Sequence, residues 1–189
     1  MIRIGILGDI GSGKSYTAKS FGYPVFDADI EVGKLYKKDR KIFNKLKKAL
    51  PKYIFLFPIN KNEISNAILA NKSNLKKIVK IVHLEIRKKM NIFLSKNRNK
   101  KIVILDIPLL LENKINKKND ILVFVKSKKV DILKRLRKRK NFNSKLLNKF
   151  KNIQLPQDYK KKKAQFVIKN NFTKKSVNKS IKKILKDIL

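Results

Sequence analysis

Three glycines, a lysine and two serines fall within eight consecutive residues near the start of the chain, in the segment GDIGSGKS at residues 8–15. This segment fits the pattern G-x-x-x-x-G-K-[ST], which is typical of loops that bind nucleotide phosphates. Glycine permits backbone shapes that other residues resist, so backbone N–H groups can converge on the anion. An apolar stretch precedes the loop and a helical one follows it, so the positive end of a helix also points at the phosphates.

Each position of this loop has an expected role. Lys14 reaches the β- and γ-phosphates, the Ser15 hydroxyl binds Mg²⁺, and the backbone N–H of Tyr16 binds the α-phosphate. The positions that cradle the phosphates through the backbone are Gly8, Gly11, Ser12 and Gly13. The motif alone names no reaction. Because the chain is too short for most large ATP-driven machines and has no guanine-reading N-K-x-D segment, it favours a small kinase acting on a metabolite.

Carboxylates follow two of the predicted strands. Asp27 and Asp29 flank an alanine after one strand, and Asp106 follows another. Since side chains alternate along a strand, Asp27 and Asp29 are expected to point the same way. Phosphoryl transfer needs charge neutralisation and a carboxylate that orients the attacking hydroxyl, so one of the pair is a candidate base and the other a candidate Mg²⁺ or substrate ligand. The alternatives are helix N-capping by one of the pair, and either Mg²⁺ support or strand capping by Asp106.

Five short apolar runs alternate with helical stretches and are predicted to be strands. They are Ile2–Leu7, Pro24–Phe26, Ile102–Leu105, Ile121–Val125 and Phe166–Ile168. This alternation predicts an α/β fold with a parallel, doubly wound sheet flanked by helices. Ligands bind such sheets beyond the carboxyl ends of the strands, which is where the phosphate loop and the three aspartates lie.

Apolar residues at helical spacing predict the helices between these strands. The predicted ranges are Lys14–Phe21, Ile30–Leu50, Glu63–Ala70, Ser73–Ser95 with Ser73 as its cap, Lys129–Lys140, Ser144–Asn152 and Ser176–Ile188. The length of 189 residues, without an internal repeat or a clear linker, predicts one domain.

The composition is strongly basic, with 50 Lys and Arg against 13 Asp and Glu and a formal charge of +37. The lysines are spread over nearly every segment and accompany many Asn and Ile residues, which favours codon bias over a nucleic-acid footprint. We therefore expect no required nucleic-acid partner, although weak nonspecific binding follows from the charge. No membrane span is predicted, and the lack of cysteine fits a cytoplasmic protein. The sequence carries no signal for an oligomeric state.

Several motifs together resemble the dephospho-CoA kinase family. They are the loop Gly8–Ser15, the D-A-D at residues 27–29, the D-x-P-L-L-x-E at residues 106–112, the H-L-E-I-R at residues 83–87, and the closing Gln154, Lys160, Ala164 and V-I-K-N at residues 167–170. The resemblance covers roughly residues 2–170 in the family's order. The phosphate loop is generic, whereas the D-A-D and P-L-L-x-E elements together are quite specific.

This resemblance implies transfer of the ATP γ-phosphate to the ribose 3′-hydroxyl of dephospho-CoA, which yields CoA and ADP. It also implies the three-layer fold of the nucleoside-monophosphate kinases, with a helical substrate-binding part at about 30–98 and a lid at about 135–155. By position, Asp29 is the catalytic base and Asp27 its partner, Arg139 covers ATP and Asn170 lies near the adenine. The implied acceptor-site residues are Asp29, His83, Arg87, Pro108, Leu109, Leu110 and Glu112.

Other interpretations remain open at this level. His83 on an apolar-patterned helix is also typical of a hydrogen-bonded structural residue. The spacing of four residues is expected to place Arg135 and Arg139 side by side on a helix, as a phosphate clamp requires, and the alternative is a solvated face. Departures from the family pattern occur at Asp9, Tyr16, Leu84, Gln165 and Phe172. The rival functions are a kinase for another small acceptor, a phosphate-loop ATPase that binds nucleic acid, and a decayed enzyme that keeps the fold.

Overall fold

The central sheet is formed by the five predicted strands. The computed structural model describes residues 1–139 and 142–189, and its strands are β1 (Ile2–Gly8), β2 (Val25–Asp27), β3 (Ile102–Asp106), β4 (Ile121–Lys126) and β5 (Phe166–Lys169). All neighbouring strands are parallel, in the order β2-β3-β1-β4-β5. The central strands are almost wholly buried, as expected where helices cover both faces of a parallel sheet. The predicted α/β fold is confirmed.

Nine helices lie within the described residues. They are α1 (Lys14–Ser20), α2 (Ala28–Lys38), α3 (Arg40–Ala49), α4 (Lys61–Ala70), α5 (Lys72–Lys96), α6 (Lys129–Arg137), α7 (Ser144–Lys151), α8 (Gln157–Lys163) and α9 (Lys174–Ile188). Within this part of the chain, none of them is both long enough and apolar enough to cross a membrane.

The predicted single helix over Ile30–Leu50 is wrong, because the chain forms two helices there. Asp39 has an extended backbone between α2 and α3, and its Oδ1 accepts a hydrogen bond from the Ile42 N–H at 3.0 Å. This is an N-cap, which begins a new helix inside a stretch whose apolar spacing continues across the break.

Helices α8, α5 and α6 also differ from the prediction. Helix α8 was missed because the segment QDYKKKK has no apolar stripe, although Pro156 and Asp158 are typical of a helix start. Ser73 does not cap α5 but lies inside it, and the Asn71 side chain accepts the Ser73 N–H at 2.8 Å. Helix α6 ends at Arg137, with Lys138 as its C-cap, so the predicted continuation of this helix through Arg139 is wrong, and Lys140 itself lies outside the described residues.

The chain divides into two compact units. Unit one comprises Met1–Asp27, Asn97–Phe142 and Ile153–Leu189, and it contains the sheet with α1, α6, α8 and α9. Unit two comprises Ala28–Lys96 and Asn143–Asn152, and it contains α2 to α5 and α7. Within unit two, α5 packs against α2, α3 and α4, and α7 packs against α4.

The core of unit one lies between the sheet and helices α1 and α9. Ile4 and Ile6 of β1 are fully buried there, and Val177, Ile181 and Ile184 recur along one face of α9 to cover them. Burial of a large aliphatic side chain stabilises a fold by about 1.5–3 kcal/mol. This packing fixes β1, and thereby the position of the loop that follows it.

Candidate active site

The segment after β1 forms a tight loop whose shape depends on glycine. Gly8, Gly11 and Gly13 have positive φ angles of 144°, 85° and 94°. At Gly8 a Cβ atom would lie 2.7 Å from the Val125 carbonyl oxygen, so a side chain there would also collide with β4. The predicted phosphate-loop geometry therefore rests on backbone conformations and close contacts that only glycine allows.

Lys14 lies across this loop. Its Nζ donates hydrogen bonds to the carbonyl oxygens of Gly8 at 3.2 Å and Asp9 at 2.9 Å. A compact ammonium group held against two loop carbonyls is well placed to meet phosphate oxygens that enter the same loop. The structure thus brings the predicted lysine to the predicted cradle.

The carboxylate of Asp9 is turned back onto the loop backbone. Its Oδ1 accepts the Ile10 N–H at 2.7 Å. This hydrogen bond explains how the loop accommodates an acidic residue at this position. Ser12, by contrast, is fully buried, and its Oγ has no hydrogen-bond partner among the described residues.

The oxygen donors at the loop and the strand ends fit Mg²⁺. Ser15 is exposed on the first turn of α1, and Asp27 pairs in register with Asp106 at the carboxyl ends of β2 and β3. Among the described residues, no group of three or more His, Asp or Glu side chains could hold a metal by itself. Mg²⁺ prefers oxygen ligands and usually combines one or two protein groups with substrate phosphates and water, which matches this donor set.

Asp29 is the second residue of α2, whose first residue is Ala28. It lies in the first turn, so its carboxylate is favourably placed relative to the helix dipole, but it is not the N-cap of this helix. The capping alternative is therefore excluded for Asp29. Its side chain is exposed, as that of a base for an incoming hydroxyl must be.

His83 and Arg87 lie one turn apart on α5, within unit two. Burial, and secondly the nearby Arg87 guanidinium, lower the pKa of His83 below its usual 6.5, so the imidazole is neutral at pH 7. Its buried Nε2 has no hydrogen-bond partner among the described residues. The structure therefore gives this nitrogen no structural hydrogen bond of the kind that the alternative interpretation expected.

The predicted acceptor loop at residues 108–112 is anchored at two points within unit one. Leu110 is fully buried, and its Cδ2 lies 2.5 Å from the place where a Cβ on Gly5 would stand. Glu112 forms a 2.7 Å ion pair with Lys160, which is 1% exposed, and its Oε1 also accepts the Leu155 N–H at 3.0 Å. These contacts give Leu110 and Glu112 a structural role in addition to the one that the resemblance implies.

Breaking this ion pair is expected to destabilise the fold. Replacing Lys160 with methionine leaves the Glu112 carboxylate buried without its cation, which costs about 3–5 kcal/mol of unfolding free energy. Urea unfolding at pH 7 measures the loss, with the exposed Lys162→Met on the same helix as the matched control. Replacing both partners, Lys160→Met with Glu112→Leu, is expected to recover most of it. A loss below about 1 kcal/mol in the single variant would contradict this assignment.

The two lid arginines are not paired along a helix. Arg135 lies in α6, with its guanidinium 4.3 Å from the centre of the Phe172 ring, whereas Arg139 lies beyond the described end of the helix and is exposed. The expectation that a spacing of four residues places them side by side on a helix is therefore wrong. Arg139 nevertheless has the exposure that contact with a nucleotide requires.

Asn170 lies behind the phosphate loop. It is 4% exposed, and its Nδ2 donates to the Ser12 carbonyl oxygen at 2.8 Å. Sequence reasoning missed a second donor to the same oxygen, Ser127, which directly follows β4. Ser127 could have been identified from the sequence as a polar residue directly after a predicted strand, which is how Asp27 and Asp106 were identified.

A parallel sheet of order 2-3-1-4-5 with a lysine-bearing phosphate loop after its central strand defines a phosphate-loop nucleotide-binding protein. The family model for dephospho-CoA kinase matches residues 2–176. A dephospho-CoA kinase of Wolbachia pipientis is 34% identical over 187 residues, which span 96% of this chain and 95% of the relative. The chain belongs to the dephospho-CoA kinase family, and it is an ATP-dependent phosphotransferase.

Two solved structures show the same fold. The structure of TT1252 from Thermus thermophilus has a TM-score of 0.80 and 25% identity, covering 100% of this chain and 98% of the other. The dephospho-CoA kinase from Campylobacter jejuni has a TM-score of 0.62 and 20% identity, covering 98% and 96%. The likeness extends over the whole length of both chains.

Proposed function

We propose that this chain transfers the γ-phosphate of ATP to the ribose 3′-hydroxyl of dephospho-CoA and releases CoA and ADP, the last step of coenzyme A biosynthesis. The hydroxyl oxygen bonds to the γ-phosphorus, the bond from that phosphorus to the β–γ bridging oxygen breaks, and a carboxylate takes the hydroxyl proton. The observation that carries the proposed acceptor is the match of the dephospho-CoA kinase family model to residues 2–176. The glycine-shaped loop after β1, with the Lys14 ammonium held on two of its carbonyls, supports ATP as the phosphate donor.

On the ATP side, the proposal assigns the phosphates to the backbone of Gly8 to Gly13 and to Lys14. The N–H of Tyr16 meets the α-phosphate from the first turn of α1, and its exposed ring is not required for that contact. Arg139 covers the nucleotide from solvent. Asn170, being buried, acts on ATP through the loop backbone and not by direct contact with the base.

Mg²⁺ is proposed to bind the Ser15 hydroxyl and the phosphates of ATP. The Asp27 carboxylate is proposed to assist in holding the ion. When bound, the ion neutralises charge on the β- and γ-phosphates. The chain itself supplies the oxygen donors and keeps Asp27 in register with Asp106 at the end of the sheet.

On the acceptor side, Asp29 is proposed as the base and Asp27 as its partner. His83 and Arg87 are proposed to hold the dephospho-CoA, because a neutral imidazole and a guanidinium one turn apart suit a hydroxyl-rich, phosphate-bearing ligand. Pro108 and Leu109 are half-buried beside the anchored Leu110 and Glu112 and form the remaining acceptor surface.

The organisation of the chain follows the same proposal. Residues at about 30–98 are the substrate-binding part and those at about 135–155 are the lid, within one kinase domain. The enzyme is proposed to act in the cytoplasm, without a membrane or a required nucleic acid.

Phosphorus NMR of the reaction products tests the proposed chemistry. ATP, Mg²⁺ and dephospho-CoA are expected to give a new monoester resonance identical to that of authentic CoA, together with ADP in equal amount. EDTA is expected to abolish turnover. A 2′-phosphate product, or turnover that survives EDTA, would contradict the proposed regiochemistry or the role of Mg²⁺.

Anions should stabilise the protein according to their fit to the loop. Sulfate is expected to raise the melting temperature more than chloride at equal ionic strength, since it binds the loop as well as screening the +37 charge. Binding at ten times Kd adds about 1.4 kcal/mol to the unfolding free energy. Differential scanning fluorimetry measures the difference, which is expected to be smaller in Lys14→Ala, where only the general stabilisation by sulfate remains. Equal effects of both salts on the wild type would contradict an intact phosphate site.

A further inference from the structure

The carbonyl oxygen of Ser12 is held by two side chains from distant parts of unit one. It accepts hydrogen bonds from Asn170 Nδ2 at 2.8 Å and from Ser127 Oγ at 2.9 Å. These residues follow β5 and β4, respectively. The ends of β4 and β5, which carry no part of the phosphate-loop motif, therefore meet on one oxygen in the middle of that motif.

Asn170 is itself fixed in orientation. Its backbone N–H donates to the Lys126 carbonyl at 2.8 Å, and its Oδ1 accepts the Phe172 N–H at 2.8 Å. Because the oxygen of the side-chain amide accepts a backbone N–H, the nitrogen must face Ser12. A Cβ on Gly13 would collide with this nitrogen, so Asn170 also fills the space that the glycine leaves open.

The hydrogen bonds on the Ser12 carbonyl determine where the next N–H points. The only cis peptide among the described residues is Phe57–Pro58, so the Ser12–Gly13 peptide is trans. In a planar trans peptide the C=O of one residue and the N–H of the next point in opposite directions. Drawing the Ser12 carbonyl toward Asn170 and Ser127 therefore turns the Gly13 N–H to the opposite side of the peptide.

The Gly13 N–H donates no hydrogen bond to any acceptor in the described part of the chain. An N–H that is fixed in direction and unused by the protein is what an anion-binding loop requires. Without the two donors on the carbonyl, this peptide could rotate at glycine, which tolerates both orientations.

We propose that Ser127 and Asn170 are positioning residues that hold the Ser12–Gly13 peptide with its N–H toward the phosphates. They touch no substrate and act through the loop backbone. The inference rests on the proposed binding of ATP phosphates in this loop. Their effect is therefore confined to ligands that carry phosphates into the loop, and the affinity for dephospho-CoA does not depend on them.

Kinetics of matched variants provide the first test. Ser127→Ala is expected to raise KM for ATP by about 3- to 10-fold, the effect of one lost neutral hydrogen bond, and Ser127→Thr, which keeps the hydroxyl, is expected to restore it. Asn170→Asp places a carboxylate against the Ser12 carbonyl and is expected to raise KM for ATP by about 30-fold or more. KM for dephospho-CoA is expected to stay within about twofold in all three. Ser180→Ala, which removes a similar hydroxyl-to-carbonyl bond from α9, is the control.

The sequence also allows this one peptide to be observed alone. Among the six glycines only Gly13 follows a serine, so carbonyl-¹³C serine combined with ¹⁵N glycine gives a single coupled resonance, from the Ser12–Gly13 peptide. Inorganic tripolyphosphate is expected to move the Gly13 amide proton downfield in the wild type and in Ser127→Thr. The shift is expected to shrink in Ser127→Ala and to disappear in Asn170→Asp. The Ser12 carbonyl resonance of the free protein is expected to move upfield in Ser127→Ala.

The outcomes separate this proposal from the function on which it rests. Wild-type tripolyphosphate shifts and wild-type KM for ATP in both Ser127→Ala and Asn170→Asp would overturn the positioning role. If tripolyphosphate does not shift the Gly13 amide resonance of the wild type, the phosphate-loop assignment is wrong. The hydrogen bonds on the Ser12 carbonyl are tested separately, because an unchanged Ser12 carbonyl resonance in Ser127→Ala would show that Ser127 does not donate to it. If Asn170→Asp does not fold, Ser127→Ala and Ser127→Thr decide the question.

Discussion

Replacing Asp29 with asparagine is expected to lower kcat by about 100-fold or more, while KM for ATP stays close to that of the wild type. The amide keeps the size of the side chain but cannot accept the proton of the attacking hydroxyl. Asp29 is exposed in the first turn of α2 and is not its N-cap, so a loss of folding would not account for the effect.

Steady-state kinetics with saturating dephospho-CoA measure this effect. Glu31→Gln is the matched control, because Glu31 is the next acidic residue of the same first turn and pairs with Lys34 at 2.6 Å. Its kcat is expected to be unchanged, and thermal melting is expected to be the same for both variants within about 2 °C. An Asp29→Asn enzyme with kcat within fivefold of the wild type would show that this carboxylate is not the base.

Replacing Lys14 with alanine is expected to lower kcat/KM by about 10²- to 10³-fold, since it removes a cation that stabilises charge on the transferring phosphate. Lys14 Nζ is already held at the Gly8 and Asp9 carbonyls, so little ordering is needed when ATP arrives. Lys14→Arg is expected to remain at least 10-fold impaired, because a planar guanidinium does not replace a compact ammonium in a loop of this size.

Lys19→Ala provides the control for the change of charge, since Lys19 lies in the last turn of the same helix and is exposed. It is expected to have wild-type kinetics. Isothermal titration with ADP separates binding from chemistry in each variant. Lys14→Ala with wild-type kcat/KM would mean that the loop does not hold the reacting phosphates.

The sequence was sufficient to predict those parts of the molecule that depend on local pattern. The strands β1, β3 and β4 are runs of aliphatic and β-branched residues, and burial on both faces explains why they are continuous. The phosphate loop was predicted as a unit because its conformation depends on a few glycines at fixed spacing. The break at Asp39 was not predicted, because apolar residues keep helical spacing on both sides of the cap.

Contacts between distant residues account for most of what the sequence did not reveal. The pairs Glu112–Lys160 and Ser12–Asn170 join residues that are far apart in the chain, and neither hydrophobic periodicity nor motif spacing specifies such partners. Glu112 and Asn170 were singled out through family resemblance as ligand contacts. The structure adds a buried partner for each: the Lys160 ammonium for Glu112 and the Ser12 carbonyl for Asn170. Side chains in functional motifs can therefore also support the backbone.

The most direct test of the account is release of ADP from ATP and Mg²⁺ with a panel of acceptors. The panel contains dephospho-CoA, its analogue without the ribose 3′-hydroxyl, adenosine, RNA and no acceptor. We expect ADP release only with dephospho-CoA, in amounts equal to the CoA formed. Release that is equally fast without an acceptor, that RNA stimulates, or that the analogue without the 3′-hydroxyl supports would contradict it.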